Sequence, residues 1–287
     1  MNGSSFVKIM AVSVALAGCS ATGTITSGSD ASPVASGASA TKGSATAAAQ
    51  GEVLRYTRAM KTPMALEIQA LNGAVHASLS PSDAAEVRAN KTVKSGNPAS
   101  QRVVVSERPE ATLVCVLYAD EPDGACAPGH VHRGDHDDDD DVRIDFELRV
   151  PAGVVLRANT LNGDIEATSL QSEIRAHTLN GALQLSSTAR IVGNTLNGNI
   201  VATALGPGEP DIIDLATNNG EIELRLADRA SFDIDASTLS GQVTSDYPLP
   251  PVASAFGPSA VRGPVAGGGA ALRMRTLNGN IQVRRVQ

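Results

Sequence analysis

The chain has 287 residues and 42% apolar content, but only four Phe, three Tyr and no Trp, so any core must be built from Ala, Val, Leu and Ile. The net charge of −7 is dominated by one cluster, Asp135 with Asp137 to Asp141, and the rest nearly balances. Without clustered Lys and Arg a nucleic-acid partner is excluded, and no phosphate loop, HExxH, CxxC or GxSxG motif announces a cofactor or a nucleophile.

In chain order, Lys8 is followed by the short apolar run Ile9 to Leu16 and then by Ala17, Gly18 and Cys19. Eight apolar residues are too few to span a bilayer, so residues 1–18 read as a signal peptide. Leu16-Ala17-Gly18-Cys19 resembles the bacterial lipobox, which implies that Cys19 is acylated and becomes the mature N-terminus. Ser20, where Asp would imply inner-membrane retention, places the expected anchor in the outer membrane. Residues 19–50 are almost wholly Ala, Ser, Gly and Thr, which cannot repay the entropy of ordering. They read as a flexible tether with a reach of roughly 30 Å, leaving 51–287 as the folded domain.

Cys115 and Cys126 are the remaining cysteines. In an exported chain, eleven residues apart across a turn-rich segment, they are expected to form a disulfide. Next comes a dense set of potential ligands: His130, His132 and His136 with Asp137, Asp138, Asp139, Asp140 and Asp141. Carboxylates suit Ca²⁺ and imidazoles suit Zn²⁺ or Ni²⁺, yet five consecutive Asp cannot all face one ion. The segment reads as a solvated, self-repelling loop with weak divalent-cation affinity and no cofactor.

The most informative feature is a repeated corner. Leu-Asn-Gly or a close variant occurs at Asn72-Gly73, Asn162-Gly163, Asn180-Gly181, Asn197-Gly198, Asn219-Gly220, Ser240-Gly241 and Asn278-Gly279. From Gly163 onward the glycines are spaced 18, 17, 22, 21 and 38 apart. Counting from each Gly, positions −7 and +2 are apolar throughout, −5 is mostly small and −3 is Thr in six of seven copies. Alternation on both sides predicts strand, corner, strand. The Leu at −2 breaks the alternation and predicts a bend or bulge before a Gly that accepts positive φ.

Two all-β architectures fit. Asn-Gly between alternating runs is a hairpin signal and gives an antiparallel meander. Stacking like on like gives a β-solenoid, with each repeat one rung, and identical residue types at each offset favour it. Against strict stacking stands the −6 column, where Arg157 and Arg175, and likewise Asp214 and Asp235, place like charges side by side. Tyr247 to Gly269, rich in Pro and Gly, reads as a loop inserted in a rung.

The alternating Val142-to-Val150 strand, Pro151-Ala152-Gly153, the successive Thr-Leu-Asn-Gly units and Ser245-Asp246-Tyr247-Pro248 together resemble the bacterial "putative adhesin" family of unknown function, over about residues 51–287. The resemblance implies a β-repeat, envelope-associated protein and supplies no catalytic residue. Asp164 and Glu166, with Glu221 and Glu223 at the same offsets two repeats later, are the only acid/base candidates, and His76 and His177 fall on the polar face. The expected function is therefore a non-enzymatic envelope lipoprotein presenting a β-solenoid surface for adhesion, interaction or support, with an envelope protein or glycan as partner. The alternative is a carbohydrate-binding or carbohydrate-active β-helix.

Overall fold

The computed structural model describes residues 51–128, 140–205, 211–250 and 259–286. They are all-β apart from one 3₁₀ turn at Asp123–Ala125. The first strands are β1 (Gly51–Ala59), β2 (Ala65–Gln69), β3 (Val75–Leu79), β4 (Ala84–Ser95), β5 (Gln101–Glu107), β6 (Ala111–Tyr118) and β7 (Asp141–Val150). The repeats follow as β8 (Val155–Asn162), β9 (Ile165–Leu170), β10 (Ile174–Asn180), β11 (Leu183–Ser187), β12 (Ile191–Asn197), β13 (Ile200–Ala204), β14 (Ile212–Asn219) and β15 (Ile222–Ala227). The last are β16 (Phe232–Ser240), β17 (Val243–Ser245), β18 (Ser259–Val265), β19 (Ala270–Asn278) and β20 (Ile281–Val286).

These strands form two mixed sheets of ten, neither closed: β1-β4-β7-β3-β9-β11-β13-β15-β20-β17, and β18-β16-β19-β14-β12-β10-β8-β2-β6-β5. Each Asn-Gly corner joins strands of different sheets, as between β8 and β9. Within a sheet the repeat strands pair in parallel and in register: Ile174 lies beside Ile191, Thr178 beside Thr195 and Asn180 beside Asn197. Antiparallel pairing is found towards the ends, in β1–β4, β4–β7, β5–β6 and β16–β18.

The core lies between the sheets and follows the offsets read from the sequence. Position −7 (Leu156, Ile174, Ile191, Ile213, Leu272), position −3 (Thr160 to Thr276) and position +2 (Ile165, Leu183, Ile200, Ile222, Ile281) are all buried. Each buried Ile or Leu contributes roughly 1.5–3 kcal/mol by leaving water. The −5 position mixes small residues (Ala158, Ala176, Gly193, Ala236) with large ones (Ile68, Leu215, Met274), and the small ones make room for their neighbours' side chains. At Gly193 an added Cβ would come within 2.9 Å of Leu185 Cδ1.

Spatial order departs from chain order at the C-terminal end. β19 lies between β14 and β16, and β20 lies between β15 and β17, so the last unit in sequence is inserted between the two units before it. This disposes of half of the like-charge objection. The outer column runs Asp214, Arg273, Asp235, Arg262 across four neighbouring strands, alternating in sign, with Arg262 Nε 2.9 Å from Asp235. Arg157 and Arg175 remain neighbours, but each has a carboxylate, Glu67 at 3.6 Å and Glu173 at 2.6 Å. A second departure corrects the inserted-loop reading: residues 259–265 form an edge strand, antiparallel to β16.

Candidate functional site: the corner ridge

The corners stack into a continuous ridge along the boundary between the sheets. Its centre is a ladder of side-chain amides. Asn162 Nδ2 donates to Asn72 Oδ1 at 2.7 Å, and Asn180 to Asn162, Asn197 to Asn180, Asn219 to Asn197 and Asn278 to Asn219 follow, each at 2.8 Å. The ladder stops at Asn278 because its next neighbour is Ser240.

Two further ladders hold the backbone beneath it. Thr178, Thr195, Thr217 and Thr276 each donate their hydroxyl to the corner Gly carbonyl of the neighbouring unit at 3.0–3.1 Å, and Thr238 does so at 2.8 Å. A buried hydroxyl needs such a partner, which explains Thr at −3. The glycines are required by close approach: a Cβ on Gly181 would stand 2.0 Å from the Gly163 carbonyl oxygen, and one on Gly220 2.0 Å from that of Gly198. Neither of these two has φ in the left-handed region, whereas the other five corner glycines, Gly73, Gly163, Gly198, Gly241 and Gly279, have φ of 147–159°. Positive φ therefore serves most corners but not all, whereas close contact between adjacent units is common to all seven, with a Cβ falling 1.9–2.1 Å from a backbone oxygen at each.

At the second corner the bulge expected before the Asn is present. Leu161 N and Asn162 N both donate to the Leu71 carbonyl, and this extra residue turns the side chain at −2 outward. Leu161, Leu179 and Leu196 are 37–40% exposed, Leu277 47% and Leu239 61%, while Leu71 at the first corner is buried. Asn218 takes the −2 place in β14, between Leu196 and Leu277. Beside that gap Ala216, Asn218, Ser237, Leu239, Arg275 and Leu277 line a shallow, open groove of about 290 Å³. Sequence reasoning located these leucines as irregular without seeing them as one solvent-facing stripe. The signal was available in part, since the same irregular offset recurs at each corner, although buried Leu71 shows that the offset alone does not decide exposure.

The carboxylates considered for acid/base chemistry lie on the outer face beside this ridge, each already engaged. Asp164 Oδ1 accepts from Ala182 N at 2.8 Å, and Glu166 Oε2 lies 3.2 Å from His76 Nδ1. Glu221 Oε1 accepts from Asn280 Nδ2 at 3.0 Å, and Glu223 pairs with Arg225 at 2.9 Å. Asn199 and Asn280 repeat the Asp164 role, accepting from Glu221 N and Gln242 N. Where position +1 is Asp or Asn it is therefore a bracket for the next unit's backbone, a role that the sequence showed only as scattered Asx residues. His177 is exposed.

Away from the ridge, Cys115 and Cys126 form a disulfide. With Ala65, Ala111, Leu113 and Leu117 they make a small second core. Of the acidic run, Asp140 accepts from Asn97 N at 2.6 Å and Asp141 lies 3.7 Å from Lys94 Nζ. His130, His132, His136, Asp137, Asp138 and Asp139 lie outside the described residues, as does Cys19. Among the described residues no group of three potential ligands is placed to hold a metal ion.

No family model and no curated protein matches the chain. Among solved structures it is similar to a "putative cell adhesion protein" from Clostridium sporogenes ATCC 15579, with 10% identity, a TM-score of 0.42, and 81% of this chain and 99% of that one covered. It is also similar to a "putative adhesin" from Bacteroides fragilis NCTC 9343, with 9% identity, a TM-score of 0.26 and coverage of 81% and 96%. A third, a "putative adhesin" from Parabacteroides merdae ATCC 43184, has 8% identity, a TM-score of 0.21 and coverage of 82% and 96%. Likenesses of this order carry no argument about the ridge or its chemistry.

Proposed function

We propose that the chain is a non-enzymatic envelope lipoprotein whose repeat domain is a β-solenoid presenting its corner ridge for adhesion, interaction or structural support. The observation that carries this reading is the solvent-facing leucine stripe beside the asparagine ladder, because a long apolar row at the surface costs solubility unless something covers it. The solenoid part rests on consecutive strands alternating between sheets while equivalent residues pair in parallel. Anchoring rests on the lipobox at Cys19 and an outer-membrane destination on Ser20, with residues 1–18 removed and 19–50 as tether. The acidic run supplies at most weak divalent-cation affinity. Replacing Cys19 with Ser tests the anchor: the expected result is a protein that no longer fractionates with membranes, and unchanged membrane association overturns it.

The solvent-facing amide array favours a second reading, a carbohydrate-binding or carbohydrate-active β-helix. A glycan array with a turnover assay on cell-wall and exopolysaccharide fractions separates the two. Specific turnover lost in Asp164→Asn or Glu221→Gln would sink the non-enzymatic reading.

A further inference from the structure

The ridge has two flanks of unlike charge. On the side of the sheet containing β8, β10 and β19, the column nearest the leucines carries His177 and Arg275, with Arg157, Arg175 and Arg273 one step further out. On the other side the nearest column carries Asp164 and Glu221, with Glu166 and Glu223 beyond. Countercharges are present further out on both, Glu67, Glu173, Asp214 and Asp235 among the arginines of the first flank and Arg225 beside Glu223 on the second, but in the columns nearest the leucines the first flank carries no carboxylate and the second no cation. Along the stack the acidic and basic positions are offset by one unit, about 4.8 Å, which long side chains can span. Asp164 sits one unit before His177 and Glu221 one unit before Arg275, and neutral Asn194 and Asn199 occupy the middle of the two nearest columns.

We propose that the occupant of the ridge is a second copy of this chain, packed ridge to ridge about a two-fold axis parallel to the direction in which the units stack. This deepens the interaction reading above and rests on it. The geometry follows from the symmetry operation. Rotation about an axis along the ridge brings the basic flank of one copy opposite the acidic flank of the other and keeps like units at the same height. The alternative two-fold axis, perpendicular to the ridge, sets basic against basic and acidic against acidic and is disfavoured. In the preferred arrangement leucines of equal height meet, and Asn218 of one copy meets Asn218 of the other. One polar pair inside an apolar seam specifies register at some cost in affinity, as a buried Asn does in coiled coils. From Leu161 to Leu239 the row crosses six strands, about 24 Å at about 4.8 Å per strand. So narrow a contact belongs at the small end of protein interfaces, with an expected Kd of about 1–100 µM.

The test uses the full chain carrying Cys19→Ser, which leaves only the disulfide cysteines. Sedimentation velocity over a concentration series should show a monomer–dimer equilibrium, and a strict monomer up to about 500 µM overturns the proposal. Leu179→Gln, Leu196→Gln and Leu277→Gln together should weaken the dimer about a hundredfold while leaving thermal melting unchanged at concentrations below the Kd, where both chains are monomers, since these side chains lie outside the core; a persistent dimer overturns it. Orientation is read by oxidation. Leu179→Cys should crosslink to itself, while a mixture of Leu161→Cys and Leu239→Cys chains should form no mixed dimer, and the reverse pattern overturns the parallel arrangement. Glu221→Arg should weaken the dimer about tenfold and Arg275→Glu in the same chain should restore it; failure to restore overturns the flank pairing. A monomeric chain whose leucine variants lose binding to another envelope component would keep the interaction reading and sink self-association.

Discussion

The stacked corners and the N-terminal end solve the same problem with different means. In the stack each unit has a copy of itself on either side, so one residue type per offset satisfies the next unit: Asn to Asn, Thr hydroxyl to Gly carbonyl, Gly against Gly. The N-terminal end has no next copy, and unlike residues take over. Tyr56 on edge strand β1 donates to Glu107 at 2.8 Å on edge strand β5 of the other sheet. Arg58 crosses the same gap to Thr112 Oγ1 at 2.8 Å. Lys91, 4% exposed, donates to the carbonyls of Pro98 at 2.8 Å and Gln101 at 2.6 Å, and a disulfide secures the outer cover of β6. Repetition makes stability cheap to encode, whereas termination requires particular side chains.

The largest effect is expected where the stack is most uniform. Ile174→Asp places a charge between the sheets and should cost about 4 kcal/mol or more in urea unfolding, while Arg175→Ala next to it should change stability by less than about 0.5 kcal/mol. Equal effects would remove the distinction between inner and outer faces.

Gly181→Ala isolates contact from conformation, because Gly181 lies outside the left-handed region yet its Cβ would fall 2.0 Å from a backbone oxygen. A loss of about 3 kcal/mol is expected. A neutral substitution would show that the units have room to separate.

At the other end, replacing Cys115 and Cys126 together by Ala should cost about 2–3 kcal/mol, the value of closing a short loop in the unfolded chain. Its effect should concentrate in β5, β6 and the covering loop, as read by amide exchange. Protection lost uniformly from β8 to β15 would mean that the end and the stack are one cooperative unit.

Thr195→Val keeps shape but deletes the hydroxyl donor to the Gly181 carbonyl, and about 1 kcal/mol is expected from thermal denaturation. No measurable change would assign the Thr column to packing alone.

The smallest effect is in alkaline pH. Burial, and then the hydrogen bond to Glu107, push the Tyr56 hydroxyl up to about 12 from its ordinary value of 10. The folded state therefore holds that proton more tightly than the unfolded one. Its stabilisation is present below pH 10 and is lost as pH rises towards 12. Burial shifts Lys91 in the opposite sense, downward from 10.5. Its contribution therefore improves with pH between that lowered value and 10.5. Tyr56→Phe should remove the decline between pH 10 and 12 and leave the rise below it, with melting temperature against pH as the measurement.

The leucine, glycine and threonine offsets already determined which residues face the core, where each corner falls and which residues stack, because a period of two and a recurring motif are local properties of the chain. What they did not contain was which copy neighbours which. The insertion of β19 and β20 between the two preceding units leaves every offset unchanged, and its one local trace was the alternation of Asp214, Arg273, Asp235 and Arg262, which chain order hides. The role of Gly was also decided in three dimensions, since a clash with the carbonyl of another unit is invisible until the units are brought together. The same holds for the ridge. A bulge could be inferred from Leu at −2, but only parallel stacking of the strands turns isolated outward leucines into a row with a basic and an acidic side.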